Sequence, residues 1–243
     1  MGKANWWDRR ARLFDGDLSG LKVKKKAKKK LIKPVAVVYR YFDDPDYADA
    51  FASGEIFVST LKRCREYEDP LQGDPEEAFE HYNSGSSITG HGSDKEFVAR
   101  AARAGVFVDP SAENITIKDQ VVTNYLSDAY VLCTTLGFAK NLSGTFGAYC
   151  VKITNPDAFS YELTKALAKD VRLFQSLRGP VAYRAREYRE LEDAPGVLGF
   201  VKPPDLYASQ REYRFLWTVV DGEEVSPRVV SCPNIVPFVK RVK

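Results

Sequence analysis

The chain has little of what usually ligates metals or cross-links a fold, since its 243 residues include 4 cysteines, 2 histidines and 1 methionine. No two cysteines show a CxxC spacing, which argues against a disulfide scaffold and a zinc ribbon. No stretch approaches the roughly 20 apolar residues that cross a bilayer, and the first residues lack the apolar segment of a secretory signal. We therefore expect a cytoplasmic protein with reduced thiols and no membrane partner.

Several common functional motifs are also missing. The sequence contains neither the GxxxxGK[ST] phosphate loop nor the GxGxxG dinucleotide fingerprint. His81 and His91 lack the HExxH spacing of a metalloprotease, and no cysteine lies close to either histidine in the sequence. A nuclease would need a cluster of metal-binding carboxylates, and the sequence shows none, so we expect no metal cofactor.

The formal net charge of +3 hides an uneven distribution. Residues 1–33 hold 12 Lys or Arg and 3 Asp, whereas the remainder holds 24 basic and 30 acidic residues. Eight lysines fall between Lys22 and Lys33. Because such a run repels itself and buries little, we predict a basic, mobile N-terminal arm. The arm would contact nucleic acid or another polyanion, or else serve as a solubilising tail.

The rest of the chain, 34–243, alternates between apolar β-rich runs and amphipathic helical stretches, and we predict one α+β domain with a mixed or antiparallel central sheet. Predicted strands cover 35–42, 55–60, 114–117, 129–135, 147–153, 179–184, 212–220, 225–230 and 235–239. Predicted helices cover 46–52, 75–82, 95–104 and 156–169, with 119–127 either helical or extended.

Three separated features attract attention because they place polar groups in apolar strands. Arg40 is flanked by Tyr39 and Tyr41, Thr134 and Thr135 end an apolar strand, and Gln210-Arg-Glu212 opens the strongest late strand. A bare buried charge is costly, so Arg40 must face a cleft or find a partner. Structural alternatives remain open: Arg40 would pair with a carboxylate at a sheet edge, and Glu212 with Arg211 or Arg214 on the surface.

These features resemble the Arg–Ser–Glu class of ADP-ribosyltransferases, which cleave NAD at the nicotinamide–ribose bond. The resemblance implies that Arg40 holds the pyrophosphate or ribose of NAD and that Glu212 is catalytic, with Gln210 helping to present the target. Thr134 or Thr135 takes the place of the central hydroxyl, because Cys-Thr-Thr stands here where the family usually shows Ser-Thr-Ser. Tyr39, Tyr41 and Tyr149 would stack on nicotinamide or adenine.

A second resemblance is to a poorly characterised bacterial family associated with phage defence. Its order of features includes a Tyr-containing first strand, a loop of the Asn-Asp-Pro-Phe-Glu type and a terminal Glu-x-Arg. The counterparts in this sequence are Tyr39, 57–60, 68–71, 141–149 and 212–214. This resemblance implies a toxin or antiviral role.

The chemistry implied by the first resemblance is physically economical. An arginine offers bidentate contact to a diphosphate, and a carboxylate near the ribose stabilises the oxocarbenium-like centre left by nicotinamide. The leading expectation is therefore an NAD-dependent ADP-ribosyltransferase that modifies a macromolecule. The alternative is a non-catalytic module that binds nucleic acid or protein, in which Arg40 and Glu212 are structural.

Overall fold

The structure, a computed structural model, describes residues 35–70, 72–138, 142, 144 and 146–242. The basic arm predicted for residues 1–33 lies outside this part of the chain. Residues 35–243 group into one compact unit. Its largest sheet has eight strands. They are β1 (Val38–Phe42), β2 (Glu55–Thr60), β7 (Tyr130–Thr135), β8 (Tyr149–Ile153), β9 (Leu173–Pro180), β13 (Glu212–Val219), β14 (Arg228–Ser231) and β15 (Val239–Arg241).

The remaining strands form three smaller sheets. They are β3 (Phe79–Asn83), β6 (Val121–Tyr125) and β11 (Glu187–Arg189) in one sheet, β4 (Ile88–Gly90) with β5 (Ile115–Ile117), and β10 (Ala182–Tyr183) with β12 (Val201–Lys202). The α-helices are α1 (Pro45–Ser53), α2 (Leu61–Glu66), α3 (Lys95–Arg103), α4 (Pro156–Leu167) and α5 (Pro204–Tyr207). Short 3₁₀ helices cover Ala208–Gln210 and Pro233–Phe238.

Strand β7 is the centre of the large sheet, and its two edges are used differently. One edge pairs with β13 along its whole length, from Glu212 opposite Thr135 to Trp217 opposite Tyr130. The other edge pairs with β2 at Tyr130 and Val131 and with β1 at Thr135. Strands β1 and β2 therefore diverge from a common neighbour, and we call the gap between them the fork.

The two faces of the large sheet are covered by different apolar clusters. Because side chains alternate along a strand, Tyr213, Phe215 and Trp217 lie on one face, where they pack with α1 and α4 in the main core. Glu212, Arg214 and Leu216 lie on the opposite face, and Leu216 packs there with Leu61 of α2 in a smaller cluster. A strand covered on both faces is buried throughout, which explains the continuous burial of 212–218.

Local sequence signals explain several helix boundaries. Asp44 caps α1 by accepting a hydrogen bond from the Asp46 amide, Pro45 occupies the first turn, and Gly54 ends the helix in the left-handed region. Asp94 caps α3 in the same way. The helices predicted over 46–52, 95–104 and 156–169 are confirmed, with small differences at their ends.

Other predicted elements are wrong. The helix expected over 75–82 is a turn followed by β3, because Ala78 has a left-handed φ of 63° and β3 pairs with both β6 and β11. Much of the strand expected over 235–239 is the 3₁₀ helix at Pro233–Phe238. Most of β9 was not predicted, and it is stabilised by pairing with β13 rather than by a local pattern. The broad α+β prediction holds: the molecule mixes helices with mostly antiparallel sheets.

Candidate functional site

Two acidic and two basic side chains are buried together against β13, and we call Glu77, Lys202, Glu212 and Arg214 the buried charge cluster. Arg214 Nη1 and Nη2 donate to the two carboxylate oxygens of Glu77 at 2.5 and 2.7 Å. Arg214 also donates to Glu212 through Nε and Nη2. Lys202 Nζ lies 3.0 Å from Glu212 Oε2 and 3.5 Å from Glu77 Oε2. The charges balance, which is the condition for burying them.

Neighbouring strands hold this cluster in position. Glu212 and Arg214 are two residues apart in β13, so both point to the same face. Lys202 lies on β12, which pairs with β10 in parallel. The Tyr183 hydroxyl of β10 accepts a hydrogen bond from the Glu212 amide at 2.6 Å. Arg214 Nη1 also donates to the Gly199 carbonyl at 2.7 Å. The cluster is therefore tied to backbone as well as to itself.

The charged states of the cluster reinforce one another. Burial alone raises the pKa of Glu212, but the adjacent Arg214 and Lys202 outweigh burial and hold that pKa below its ordinary value of 4.5. Glu77 shows the same balance, and its pKa is also lowered. Burial lowers the pKa of Lys202, but Glu212 and Glu77 outweigh burial and hold that pKa above its ordinary value. Both carboxylates therefore stay ionised at neutral pH, so neither is suited to act as a general acid there.

Both carboxylates adjoin a residue with unusual backbone geometry. Ala78, directly after Glu77, has a φ of 63°, and Arg211, directly before Glu212, has a φ of 47°. A non-glycine residue in this region costs about 1–2 kcal/mol, so the surrounding contacts must enforce it. Such strain is concentrated at functional sites.

Arg40 occupies the fork. Its Nη1 donates to the Cys133 carbonyl at 2.8 Å, at the stretch of β7 between its pairings with β1 and β2. Its Cζ lies 5.5 and 5.9 Å from the ring centroids of Phe42 and Phe51. Its Nε is buried and bonds no acceptor among the residues that the structure describes. Within the described part of the chain, Arg40 forms no ion pair with a carboxylate.

The electrostatic surroundings of Arg40 agree with its contacts. Burial lowers the pKa of Arg40, and the groups that oppose this shift are Cys133, Cys64 and Tyr67. These partners are two thiols and a phenol, whereas Arg214 faces two carboxylates. Arg40 is therefore a partly buried cation whose charge is not balanced by a described neighbour. Such a group favours an anionic ligand.

Cys133 links Arg40 to the buried charge cluster. Its carbonyl accepts the Arg40 hydrogen bond, and its thiol lowers the pKa values of Glu212 and Cys64. Cys133 and Glu212 lie on the same face, because Cys133 is opposite Arg214 and Thr135 is opposite Glu212. The fork and the buried charge cluster thus share one residue.

An aromatic group borders the fork along β1, and we call Tyr39, Tyr41 and Phe138 the aromatic shelf. The Phe138 ring centroid lies 5.8 Å from that of Tyr39 and 6.2 Å from that of Tyr41, the latter in a stacked arrangement. Phe138 is 48% exposed. Because Tyr39 is opposite Thr135, the shelf lies on the same face as Glu212. The exposed ring of Phe138 is suited to stacking on a planar ligand.

The structure brings only part of the predicted site together. Tyr39, Tyr41, Thr135 and Glu212 share one face of the sheet. Arg40 leaves β1 on the opposite face, beside Phe42 and Phe51 of the main core, and reaches β7 through the fork. Thr135 donates to the Gln210 carbonyl at 2.8 Å, which places Gln210 at the start of the same strand pair.

Thr134 and Tyr149 lie elsewhere. Thr134 is opposite Tyr213 on the main-core face, and its hydroxyl donates to the Tyr213 carbonyl at 2.6 Å. Tyr149 is opposite Phe42 and packs against the main core, with Arg241 5.1 Å from its ring centroid. The roles predicted for these two residues therefore find no support in their placement.

Two structural alternatives also need correction. Glu212 does pair with Arg214, but the pair is buried rather than on the surface. Arg40 bonds a backbone carbonyl instead of a carboxylate, and β1 is an interior strand between β7 and β8. Of the Asp-Pro loop matched at 68–71 and the segment at 141–149, some residues lie outside the described part of the chain.

Sequence reasoning missed several members of the site. Glu77 was placed on an incorrect helix, and neither Lys202 nor Phe138 carried any local signal. One signal was available: Glu212 and Arg214, two apart in a predicted strand, must face the same side. In an apolar strand, that spacing indicates a buried ion pair.

Comparisons with known proteins add no identification, because no family model, curated protein or solved structure matches this chain. Every helix in the described ranges is too short or too polar to span a bilayer. Across those same ranges, no three or more His, Cys, Asp or Glu residues are grouped so as to hold a metal ion. The site is therefore interpreted from its own geometry.

The lowered pKa values of Glu77 and Glu212 predict a loss of stability in acid. A carboxyl whose pKa is lower in the folded state contributes stability above its ordinary pKa of 4.5, and this is lost as the pH falls. Below about pH 4.5, the free energy of unfolding should fall by up to about 1.4 kcal/mol per pH unit for each carboxylate. Urea unfolding at a series of pH values measures the slope. A flat profile down to about pH 3 would contradict this assignment.

Proposed function

We propose that this protein binds NAD at the fork and transfers ADP-ribose from it. The observation that carries the proposal is Arg40, a partly buried guanidinium in the fork with no carboxylate partner among the described residues. Diphosphate is a suitable counter-ion, because its oxygens accept the paired N–H groups of a guanidinium.

The aromatic shelf supports NAD over a simple phosphate. Tyr39 and Tyr41 flank Arg40 along β1, and their rings pack with that of Phe138 on the face opposite to the one from which the Arg40 side chain leaves the strand. Both bases of NAD are planar. The outer surface of Phe138 is the most accessible part of the shelf, since this residue is 48% exposed. A dinucleotide can place its diphosphate at Arg40 and one base on this ring.

Glu212 is the proposed stabiliser of the positive charge that develops when nicotinamide departs. Its carboxylate stays ionised, which suits electrostatic stabilisation of an oxocarbenium-like centre. Its acceptor positions are occupied by Arg214, Lys202 and the Cys133 thiol. The thiol is the weakest donor of these. A ribose hydroxyl of NAD would take its place, at the point where Cys133 adjoins the fork.

The second candidate function is non-catalytic binding, and the internal contacts of the predicted hydroxyl residues favour it. Thr134 donates to the Tyr213 carbonyl and Thr135 to the Gln210 carbonyl, so neither hydroxyl is directed at a substrate. Under this proposal the fork binds a nucleotide and the buried charge cluster is structural. Nucleic-acid binding by 22–33 stays a separate prediction, because those residues lie outside the described part of the chain.

Measurement of NAD affinity by calorimetry tests the role of Arg40. We expect Arg40→Met to weaken NAD binding by at least about tenfold, because it removes a charge-assisted contact of roughly 1.5–3 kcal/mol. Arg40→Lys should bind more weakly than the wild type, since lysine lacks the planar pair of donors. Arg172→Met is the matched control, because Arg172 is exposed and paired with Glu223. Equal affinity in the wild type and Arg40→Met would refute the assignment.

A second measurement separates transfer from binding. Wild-type protein, labelled NAD and cell lysate should give free nicotinamide and labelled macromolecule if the transferase proposal is correct. NAD binding that depends on Arg40, without release of nicotinamide, would instead establish the non-catalytic function. Loss of label transfer in Glu212→Gln counts only if circular dichroism shows the variant folded, since Glu212 also belongs to the buried charge cluster.

A further inference from the structure

Two thiols meet at the fork although 68 residues separate them in the chain. Cys64 lies on α2, which begins directly after β2, and the Leu61 amide at its start donates to the Ala129 carbonyl at 2.9 Å. One helical turn later, Cys64 lies over the β7 face that carries Val131 and Cys133, and both cysteines pack against the same apolar cluster.

The two cysteines are neighbours in the fold and differ from the other cysteines. Cys64 and Cys133 pack against one apolar cluster, and both are partly exposed, whereas Cys150 and Cys232 are buried. The adjacent Cys133 thiol and Arg214 lower the pKa of Cys64, and together they outweigh burial, Glu77 and Glu212, which raise it. A partly exposed thiol near arginine is the more reactive kind, and a second thiol in contact can resolve its oxidised form.

We propose that Cys64 and Cys133 are an oxidation site, at which hydrogen peroxide converts the two thiols into a reversible disulfide across the fork. The Cys64 thiolate attacks one peroxide oxygen and breaks the O–O bond, which gives a sulfenic acid and releases the other oxygen as water after proton uptake. The Cys133 sulfur then attacks the sulfenic sulfur, the S–O bond breaks, and the hydroxyl leaves as water with the Cys133 proton. In total, two thiols and one peroxide give one disulfide and two waters.

The position of this pair gives the oxidation a structural consequence. The disulfide joins α2 to β7 beneath Arg40, and it removes the thiol hydrogen that Cys133 shares with Glu212. It also closes a loop of about 70 residues, so the unfolded chain is restricted and the folded state is favoured. We expect the Tm to rise by roughly 5–10 °C on oxidation.

Peptide mapping of the full chain, before and after peroxide treatment, tests the proposal. We expect a Cys64–Cys133 cross-linked peptide, a monomer lighter by two hydrogens, and complete reversal by dithiothreitol. Cys64→Ser and Cys133→Ser should each abolish the link and the rise in Tm, whereas Cys150→Ala should keep both. If Cys133→Ser does not fold, Cys64→Ser alone tests the proposal, because Cys64 lies on α2 and not on the central strand β7.

The result that overturns the proposal is an oxidised protein without this cross-link. That includes thiols that stay reduced under peroxide, Cys64 and Cys133 oxidised separately to sulfinic acids, and links made only between molecules. None of these measurements uses NAD, so the outcome is independent of the function proposed for Arg40.

Discussion

Replacing Arg214 with methionine should destabilise the protein by about 3–5 kcal/mol, as for other broken buried ion pairs. Arg214 is 1% exposed at its side chain and donates to both Glu77 and Glu212. Its removal leaves two buried carboxylates facing the single charge of Lys202. Since whole domains are stable by only about 5–15 kcal/mol, the loss should be evident in urea unfolding at pH 7.

A double variant separates the effect of lost charge balance from the effect of lost packing. Adding Glu212→Gln to Arg214→Met restores charge balance, because one carboxylate then faces one lysine. We expect the double variant to lose less stability than the sum of the single variants, with an interaction energy of about 1–3 kcal/mol. Strict additivity would show that the cluster acts through packing alone.

A surface ion pair provides the control for these variants. Asp49 and Arg241 lie 2.9 Å apart, and Asp49 is 67% exposed at its side chain. Asp49→Asn should cost no more than about 1 kcal/mol. A comparable loss in Asp49→Asn and Arg214→Met would contradict the assignment of a special role to the buried charge cluster.

Replacing Gly147 with alanine should destabilise the protein by about 3–5 kcal/mol through overlap with backbone. Gly147 has a φ of 110°, and a Cβ atom there would overlap the carbonyl group of Phe42 at the end of β1. Backbone yields far less readily than a flexible side chain, so β1 and β8 would have to separate. These strands pair from Val38 to Phe42, next to Arg40 and the fork.

Gly222→Ala is the matched control for this substitution. Gly222 also has a positive φ, 81°, but no atom lies within 4 Å of the position that its Cβ would take. This variant isolates the conformational cost of a positive φ, about 1–2 kcal/mol. Thermal unfolding of both variants measures the difference. If the two variants lose equal stability, then close approach of the strands is not what requires glycine at 147.

The strands that build the fork could be predicted from local pattern, whereas their arrangement could not. The runs over 35–42, 55–60, 129–135 and 212–220 are rich in β-branched and aromatic residues and all form strands. The helix predicted over 75–82 failed because β3 gains hydrogen bonds from two distant partners, β6 and β11. Tertiary pairing outweighs the weak local preference of so short a segment.

The candidate site shows the same division. Alternation within a strand places Glu212 beside Arg214, but nothing local places Glu77 or Lys202 next to them. Arg40 was singled out correctly as an unusual charge in an apolar strand. Its position in the fork depends on β1 and β2 diverging from β7, which is a property of the whole sheet.

The sequence by itself determined the uneven charge of the chain, the apolar strands and the polar residues within them, because these depend on composition and on a side-chain period of two. Only the tertiary structure decided which polar residues meet. It divided the predicted site between two faces of one sheet and joined Glu77, Lys202, Glu212 and Arg214 from distant segments. The physical reason is that burying these four charges away from water is strongly unfavourable unless each lies next to an opposite charge. Only long-range strand pairing brings those opposite charges together.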